Sequence, residues 1–542
     1  MRKKVQIFLF FLVFFFSFFM MGCKNDNIKY TLSDDGLGYY FSWYNGARTE
    51  VKIPAKYNNL PVIGIGERAF YACSSITSVE IPDSVTYIGD YAFYACSSLT
   101  SVEIPKSVTY IGERAFRSCI SLTNVEILTN FATIRANAFS NCDSLSYNIY
   151  DNAKYLGSKE NPYVILVEAV DSSVTSCEVN SNTKIVASYA FIDCKGLTNI
   201  EIPSGVEIVG KEAFPDYGGL TYNIYDNAKY LGNKENPYVL LVKALDKSIQ
   251  SCEINNNAKI ISNYAFSYCE SLISVKISES VKYIDEYSFY DCNSLTSIEI
   301  PNGVTRIGDS AFFDCSALEN IRISESVISI GKSAFLLCSL SNIEVNENNK
   351  VYNSNNNCNA IIETQTNKLI LGSDNGKIPE GVKHISDYAF NGCTNLTNID
   401  IPNSVIRIGN YAFYNCTGLT GVEIPSSVTH IGENAFGMCK NLTSIKIQDG
   451  VTYIGKLSFS YCDSLTSLEI PNSVTYIDEK AFCGCDNLTS IIIPKSVTSM
   501  RKFVFGDCYS LTIYCEAKTK PKVWSVEWNP DKRPVVWGYK EN

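Results

Sequence analysis

The sequence predicts a β-rich solenoid in which coils of 23 residues stack on a parallel sheet, with three hairpin-like insertions and a cap at each end. A phenylalanine, mostly preceded by alanine, recurs every 23 residues within four series, and short alternating apolar runs lie between the copies. The sixteen copies are Phe70, Phe93, Phe116, Phe139, Phe191, Phe214, Phe266, Phe289, Phe312, Phe335, Phe390, Phe413, Phe436, Phe459, Phe482 and Phe505. This regularity outweighs the three or four globular domains that 542 residues would otherwise suggest.

The N-terminal segment is predicted to be a targeting signal. A basic start precedes an almost wholly apolar run over residues 5–21, which Gly22 and Cys23 follow. This ending resembles a bacterial lipobox, although Met20 stands where leucine is usual. The resemblance implies a lipoprotein signal peptide over residues 1–23 and a lipid on Cys23, through which alone the exported chain would contact a membrane. An ordinary cleaved signal peptide and an uncleaved membrane anchor are the alternatives.

Each coil begins with one short strand, as in the unit LTSVEIPKSVTYIGERAFRSCIS at residues 99–121. Apolar and polar residues alternate there, so Val102 and Ile104 are predicted to face inward and Glu103 to face outward. Pro105 is expected to end the strand, because proline cannot donate to a sheet ladder.

The rest of the coil returns the chain to the start of the next strand. Val108 and Ile111 begin this return path, and Gly112 is predicted to occupy a turn that needs the conformational freedom of glycine. Phe116 then lines the far wall, and Cys119 closes the coil. One coil cannot bury its own apolar side, whereas stacked coils place like residues above like and bury a continuous core.

The repeating unit L-x-x-I-x-I-P-x-x-V-x-x-I-G-x-x-A-F-x-x-C resembles the BspA-like leucine-rich repeat proteins, also called the Treponema pallidum type. The resemblance covers about residues 50–515. It implies a leucine-rich repeat arc with a curved parallel sheet, and display on the bacterial cell surface. For some members it also implies adhesion to host matrix proteins or to other bacteria. It brings no catalytic residues.

The repeat array is predicted to span residues 67–512, and breaks in its period divide it. A tether, an N-terminal cap and a degenerate first coil are predicted to precede it over residues 24–66. Two insertions, at about 147–169 and 222–244, are near copies, and a third lies at about 346–376. Each carries strand-like runs typical of a hairpin, which we expect to project from one face of the solenoid. The insertions are either binding elements or inert decoration.

Residues 513–542 leave the repeat and hold three of the four tryptophans, Trp524, Trp528 and Trp537. We interpret this segment as a C-terminal capping module, in which the tryptophans form an aromatic lid, because a bare terminal coil would expose its core. An aromatic platform for sugars is the alternative.

Most cysteines belong to the repeat. Fifteen of the 21 stand three residues after a repeat phenylalanine, and only the coil of Phe214 departs, with Tyr217 in that place. Their apolar neighbours predict an interior ladder of free thiols. Adjacent coils would hold the Cβ atoms about 4.8 Å apart, beyond the roughly 3.5–4.5 Å of a disulfide. No C-x-x-C pair is present, so no metal site is expected.

Composition argues against several functional classes. The net charge of -10 disfavours nucleic acid as a partner. The only two histidines, His384 and His430, replace tyrosine in a column predicted to lie on the surface. No phosphate-binding glycine loop, metalloprotease helix or nucleophile elbow occurs. We therefore expect a monomeric protein without catalytic activity or cofactor.

One outward strand position is acidic in eleven of the fifteen regular coils. These residues are Glu80, Glu103, Glu126, Glu178, Glu201, Glu253, Glu299, Glu344, Asp400, Glu423 and Glu469. Stacked carboxylates repel one another, so this acidic column is either a surface copied along with the repeat or a binding face for a basic partner or a divalent cation.

Two functions follow from these patterns. The first is an adhesin-like cell-surface protein that binds a host matrix protein, other cells or a polymer through the solenoid face or the insertions. The second is a structural envelope protein with no specific ligand.

Overall fold

A computed structural model describes residues 27–33, 37–127, 133–135, 137–214 and 219–540. The predicted signal peptide, Cys23 and Tyr217 lie outside these residues. The described chain consists of short strands, turns and a single 3-10 turn at Asn355–Asn357, with coils of about 23 residues. No helix in these ranges is long and apolar enough to cross a membrane. The predicted solenoid is confirmed.

Most coils contribute two short strands, one to each of two parallel sheets. In the first sheet, Ser101–Ile104 pairs residue for residue with Asn124–Ile127 of the next coil. Alternate side chains of Ser101–Ile104 are exposed and buried, and the strand stops before Pro105, as predicted. In the second sheet, the two-residue strand Tyr110–Ile111 pairs with Tyr87–Ile88 of the preceding coil.

The chain forms two compact units, residues 1–221 and residues 222–542. In the first unit, the first sheet contains Glu50–Lys52, Ser78–Glu80, Ser101–Ile104 and Asn124–Ile127, followed by the separate pair Ser176–Glu178 and Asn199–Glu201. The second sheet contains Asn27–Leu32, Tyr39–Asn45, Lys56–Tyr57, Leu60–Ile65, Tyr87–Ile88, Tyr110–Ile111 and Thr133–Ile134, and then restarts as Asn148–Tyr150, Ala153–Leu156, Ile165–Ala169, Ile185–Val186 and Ile208–Val209.

The second unit repeats this plan. Its first-sheet strands are Ser251–Glu253, Ser274–Lys276, Ser297–Glu299, Asn320–Ile323, Asn342–Val345, Gly421–Ile424, Ser444–Ile447, Ser467–Glu469, Ser490–Ile493, Thr512–Cys515 and Val535–Trp537. Its second-sheet strands are Asn223–Tyr225, Ala228–Leu231, Leu240–Ala244, Ile260–Ile261, Tyr283–Ile284, Arg306–Ile307 and Ser329–Ile330, then Tyr352–Asn353, Ile361–Glu363, Lys368–Leu371, His384–Ile385, Arg407–Ile408, His430–Ile431, Tyr453–Ile454, Tyr476–Ile477 and Ser499–Met500.

The repeat phenylalanines form the far wall of the core. Phe93 is fully buried, and its ring stacks between those of Phe70 and Phe116 with 4.9 Å between centroids on each side. A third row of backbone hydrogen bonds joins the coils here, since the Phe93 N–H donates to the Ala115 carbonyl at 2.7 Å. Each ring is therefore held at the spacing that the sheets impose.

Gly112 begins a turn, as predicted, because the Ala115 N–H donates to its carbonyl at 3.3 Å. Glycine is required there by a close approach to the preceding coil and not by a left-handed conformation. A Cβ atom at this position would lie 2.4 Å from the backbone nitrogen of Asp90 in the preceding coil. The left-handed turns come later, at Arg114 with φ 53° and at Ser118 with φ 61°. A hydrogen bond from the Ser118 N–H to the Ser140 carbonyl at 3.0 Å helps to offset the strain of that conformation.

The insertion at 147–169 is built into the second sheet, which corrects the expectation that it projects. Asn148–Tyr150, Ala153–Leu156 and Ile165–Ala169 form an antiparallel meander, so the predicted hairpin is present with one additional strand. Its last strand pairs in parallel with Ile185–Val186 of the next coil. The insertion therefore supplies part of the wall of the core.

The other two insertions have the same topology. The near copy at 222–244 joins its sheet through Leu240–Ala244. The third insertion differs in sequence, yet it also forms a three-stranded antiparallel meander that pairs in parallel with His384–Ile385. Because parallel stacking stops where each meander begins, the second sheet starts afresh at every insertion.

The C-terminal segment covers the last repeat coil. Trp524 and Trp528 are buried, and the Trp528 ring meets the Phe505 ring edge-on at 5.9 Å. The Trp524 indole N–H donates to the Val497 carbonyl at 3.1 Å. Neither buried ring offers an open face to a sugar.

Candidate binding surface

The acidic column lies on the outer face of the first sheet, where the alternation of each strand turns it away from the core. Glu126 and Glu201 are half-exposed and the other nine side chains are exposed. Asp400 belongs to a coil whose first segment is not a regular strand. The structure brings together Glu80, Glu103 and Glu126 in three consecutive strands.

Basic residues interrupt the column and neutralise several members. In the second unit, Lys276 pairs with Glu253 at 2.6 Å, Lys446 with Glu423 at 2.7 Å and Arg322 with Glu344 at 3.4 Å. Two hydrogen bonds lower the pKa of Glu423, and the one from Lys446 contributes more than the one from Gln448. The hydrogen bond to Glu253 raises the pKa of Lys276. Both members of each pair are exposed to solvent, so these contacts remove charge more than they add stability.

Lys52 is a member of the column that sequence reasoning missed. It belongs to the degenerate first coil, stands beside Glu80 in the sheet register, and pairs with that carboxylate at 2.5 Å. The signal was present, since Val51 and Ile53 flank Lys52 in the strand pattern.

Glu103 and Glu126 remain as adjacent carboxylates without compensation. They are register partners in neighbouring strands, and no Lys or Arg in the described ranges forms an ion pair with either. Like charges on neighbouring strands, which lie about 4.8 Å apart, repel each other. The neighbouring column holds the small polar side chains of Ser101 and Asn124, which leave room for a partner.

The cysteine ladder has a structural role. All twenty cysteines in the described ranges are free, which agrees with the predicted free thiols. Most ladder thiols donate to a phenylalanine carbonyl in the preceding coil, as Cys119 does to Phe93 at 3.1 Å and Cys416 to Phe390 at 3.1 Å, whereas Cys194 donates to the Asp171 carbonyl. Burial raises the pKa of Cys439 to about 12. Such thiols stay protonated and are poor nucleophiles at neutral pH.

The two histidines occupy different environments. His430 reaches solvent as predicted, although neighbouring groups partly desolvate its ring; this desolvation, and then the charge of Arg407, lowers its pKa. His384 is buried, so its assignment to the surface was wrong. Among the residues that the structure describes, no three His, Cys, Asp or Glu side chains are grouped so that they could hold a metal ion.

The family comparison identifies the repeat. A sequence model described as the BspA type leucine rich repeat region matches residues 39–160, 170–235, 245–362 and 383–512. A search of curated proteins gives no significant match.

Solved structures of bacterial leucine-rich repeat proteins are similar along most of the chain. A leucine rich cell surface protein from Faecalibacterium prausnitzii is 24% identical and has a TM-score of 0.36, with 96% of this chain and 99% of that chain covered. A leucine-rich repeat protein from Bacteroides ovatus is 22% identical, with a TM-score of 0.38 and coverages of 95% and 100%. One from Eubacterium ventriosum is 20% identical, with a TM-score of 0.45 and coverages of 73% and 95%.

Proposed function

Since the chain belongs to the BspA type leucine-rich repeat family, we propose that it is a lipid-anchored bacterial surface protein that binds a protein or polymer of another cell or of a host matrix. The outer face of the first sheet in the first unit would make the contact. Its centre would be the uncompensated pair Glu103 and Glu126. This pair is the observation that carries the proposal.

The argument rests on the difference between compensated and uncompensated positions. If the acidic surface were only copied along with the repeat, a basic residue next to each glutamate would reduce its charge repulsion, as Lys276 does next to Glu253. Glu103 and Glu126 keep a repulsion that contributes nothing to folding. A basic side chain or a divalent cation of the partner would relieve it.

A flat face made of repeated positions suits several weak contacts whose effects multiply through avidity. The ligand would therefore be extended or repetitive, as matrix proteins and cell-surface polymers are. Its binding would weaken with added salt, because exposed charges are screened within about 8–10 Å at physiological ionic strength.

The experiment has two stages. Purified residues 24–542 are first screened for dose-dependent binding to host matrix proteins and to whole bacteria. A bound partner is then titrated against the double variant Glu103→Gln and Glu126→Gln, which keeps shape and removes charge. We expect the affinity of the double variant to be about tenfold lower, equivalent to about 1.4 kcal/mol, and less sensitive to added salt than that of the unchanged protein.

The matched control is Glu253→Gln with Glu423→Gln, which removes the same charge from positions that Lys276 and Lys446 already neutralise. It should bind like the unchanged protein. If both double variants bind equally well, the acidic column is only a surface copied along with the repeat and does not contact the partner. Absence of any binding partner would favour the structural envelope protein.

A further inference from the structure

The N-terminal end of the first unit carries a patch of exposed apolar and aromatic side chains. Ile28 is 38% exposed, Leu32 45% and Tyr57 38%. Tyr57 stacks on Tyr30 with 4.0 Å between ring centroids, and it meets Tyr39 edge-on at 5.0 Å. Leu32 pairs with Tyr39 across the two strands, so these side chains are contiguous. We call these five residues the end patch.

The end patch is an extension of the core. Phe41 heads the phenylalanine stack, with its ring 4.8 Å from that of Phe70, and Tyr30 meets Phe41 edge-on at 5.5 Å. Tyr30 pairs directly with Phe41, so Ile28, Tyr30 and Leu32 face the same way as the buried wall. Among the described strands, Asn27–Leu32 pairs only with Tyr39–Asn45 and forms the edge of its sheet.

The two ends of the array are closed differently. At the C-terminal end, Trp524 and Trp528 lie over the last coil and are 3% and 5% exposed. At the N-terminal end, side chains of comparable character stay near 40% exposed. Soluble chains bury such contiguous apolar surface or use it for an interaction.

The position of this end in the chain identifies the partner surface. Cys23 precedes Asn27, the first residue of the edge strand, by four residues. Four residues span at most about 14 Å. Whether a lipid on Cys23 or the apolar run at 5–21 is held in a bilayer, the end patch stays within one short tether of the membrane surface.

The chemistry of the end patch suits that surface. Tyrosine and tryptophan favour the membrane–water interface, because their rings are apolar and their polar tips stay wet. Trp43 is 38% exposed on the adjacent strand, with the Lys29 ammonium 5.3 Å from its ring centroid. Lys29, on the opposite face of the same edge strand, and Lys56, next to Tyr57 in the sequence, are both exposed and could meet anionic headgroups.

We propose that the end patch docks on the lipid headgroup and acyl-chain boundary of the membrane that anchors the protein. This inference rests on the proposed anchoring. The docked end would orient the coils that follow, and it would add a second, weak membrane signal to the single anchor.

The test uses unlipidated residues 24–542, so its result does not depend on whether Cys23 is modified. The probe is a vesicle of phosphatidylethanolamine with phosphatidylglycerol, and the readout is the fraction of protein that floats with it. The triple variant Ile28→Ser, Leu32→Ser and Tyr57→Ser should float at least tenfold less than the unchanged protein.

The matched control is Ile149→Ser, Ile224→Ser and Val526→Ser, which removes three side chains exposed by 54%, 49% and 88% at other places. It should float like the unchanged protein, and thermal unfolding should show that both variants are folded. Failure of the unchanged protein to float, or equal losses in both variants, would overturn the proposal. A dimer that forms with rising protein concentration and is abolished by the patch variant would also overturn the proposal, because the end patch would then bind a second copy of the protein. The proposed anchoring is tested separately, because a lipid on Cys23 predicts that the Cys23→Ser protein is released from cells.

Discussion

Truncation of one ring in the phenylalanine stack should loosen one block of coils before the rest. Phe312 is fully buried between Phe289 and Phe335, with ring centroids 5.0 and 5.2 Å away. Replacing a buried phenylalanine by alanine usually costs about 3–5 kcal/mol, and each lost stacking contact accounts for about 0.5–1.5 kcal/mol. Both neighbours are held by the spacing of their sheets and cannot close the cavity, so we expect about 4 kcal/mol for Phe312→Ala.

The loss should be local. Phe312 belongs to a core cluster that runs from Ala228 to Ile361, whereas the coils after the third insertion belong to a separate cluster from Cys358 to Trp528. In a solenoid each coil contacts only its neighbours, so stability is a sum of local terms. Amide exchange around residues 266–345 should accelerate about 10³-fold, since each 1.4 kcal/mol is a factor of ten, and exchange around 405–505 should stay the same.

The measurement is hydrogen exchange followed by mass spectrometry on both regions. The control is Ile328→Ala, which removes a side chain 62% exposed in the same block and should change stability by no more than about 0.5 kcal/mol. Equal acceleration in both regions would refute the reasoning from local coupling. Acceleration below about tenfold around Phe312 would refute the estimate of core packing.

Three further predictions follow from single positions. Gly112→Ala should lower the free energy of unfolding by about 1–3 kcal/mol through overpacking. The control Gly196→Ala should be neutral or slightly stabilising, because its Cβ would meet nothing nearer than 3.5 Å. Chemical denaturation measures both. Burial raises the pKa of the Cys439 thiol to about 12, above its unfolded value of about 8.5. The contribution of this thiol to stability should therefore be full below about pH 8.5 and then fall by about 1.4 kcal/mol per pH unit, and a denaturation midpoint unchanged between pH 8 and pH 11 would contradict this. Thiol counting on denatured, unreduced protein should find most cysteines free. Cys23→Ser should move the protein from the membrane to the soluble fraction, and retention there after washing would indicate an uncleaved anchor.

Much of the fold could be predicted because the repeat makes neighbours in space out of equivalent positions in sequence. The inward Val102 and Ile104, the outward Glu103 and the buried Cys119 all follow from alternation and period. The candidate face was found in the same way. Lys52 was missed, because it belongs to a coil too degenerate to be counted.

The remaining errors concern how one coil meets the next. The need for glycine at position 112 depends on the backbone nitrogen of Asp90, which lies in another coil. The burial of His384 likewise depends on contacts between coils that no single repeat contains. The pattern of one repeat shows which side of a strand is apolar, but it does not show how closely two backbones approach.

The sequence by itself determined the coil, its period and the residues that line its core, because each depends on local alternation and on a repeat that fills every layer with the same side chains. Only the tertiary structure decided that the insertions are meanders built into the second sheet. It also decided that, among the residues the structure describes, Glu80 has a basic partner while Glu103 and Glu126 have none, and that the N-terminal end keeps an exposed apolar patch. These features depend on distances between atoms of different coils, and such distances are set when the layers stack.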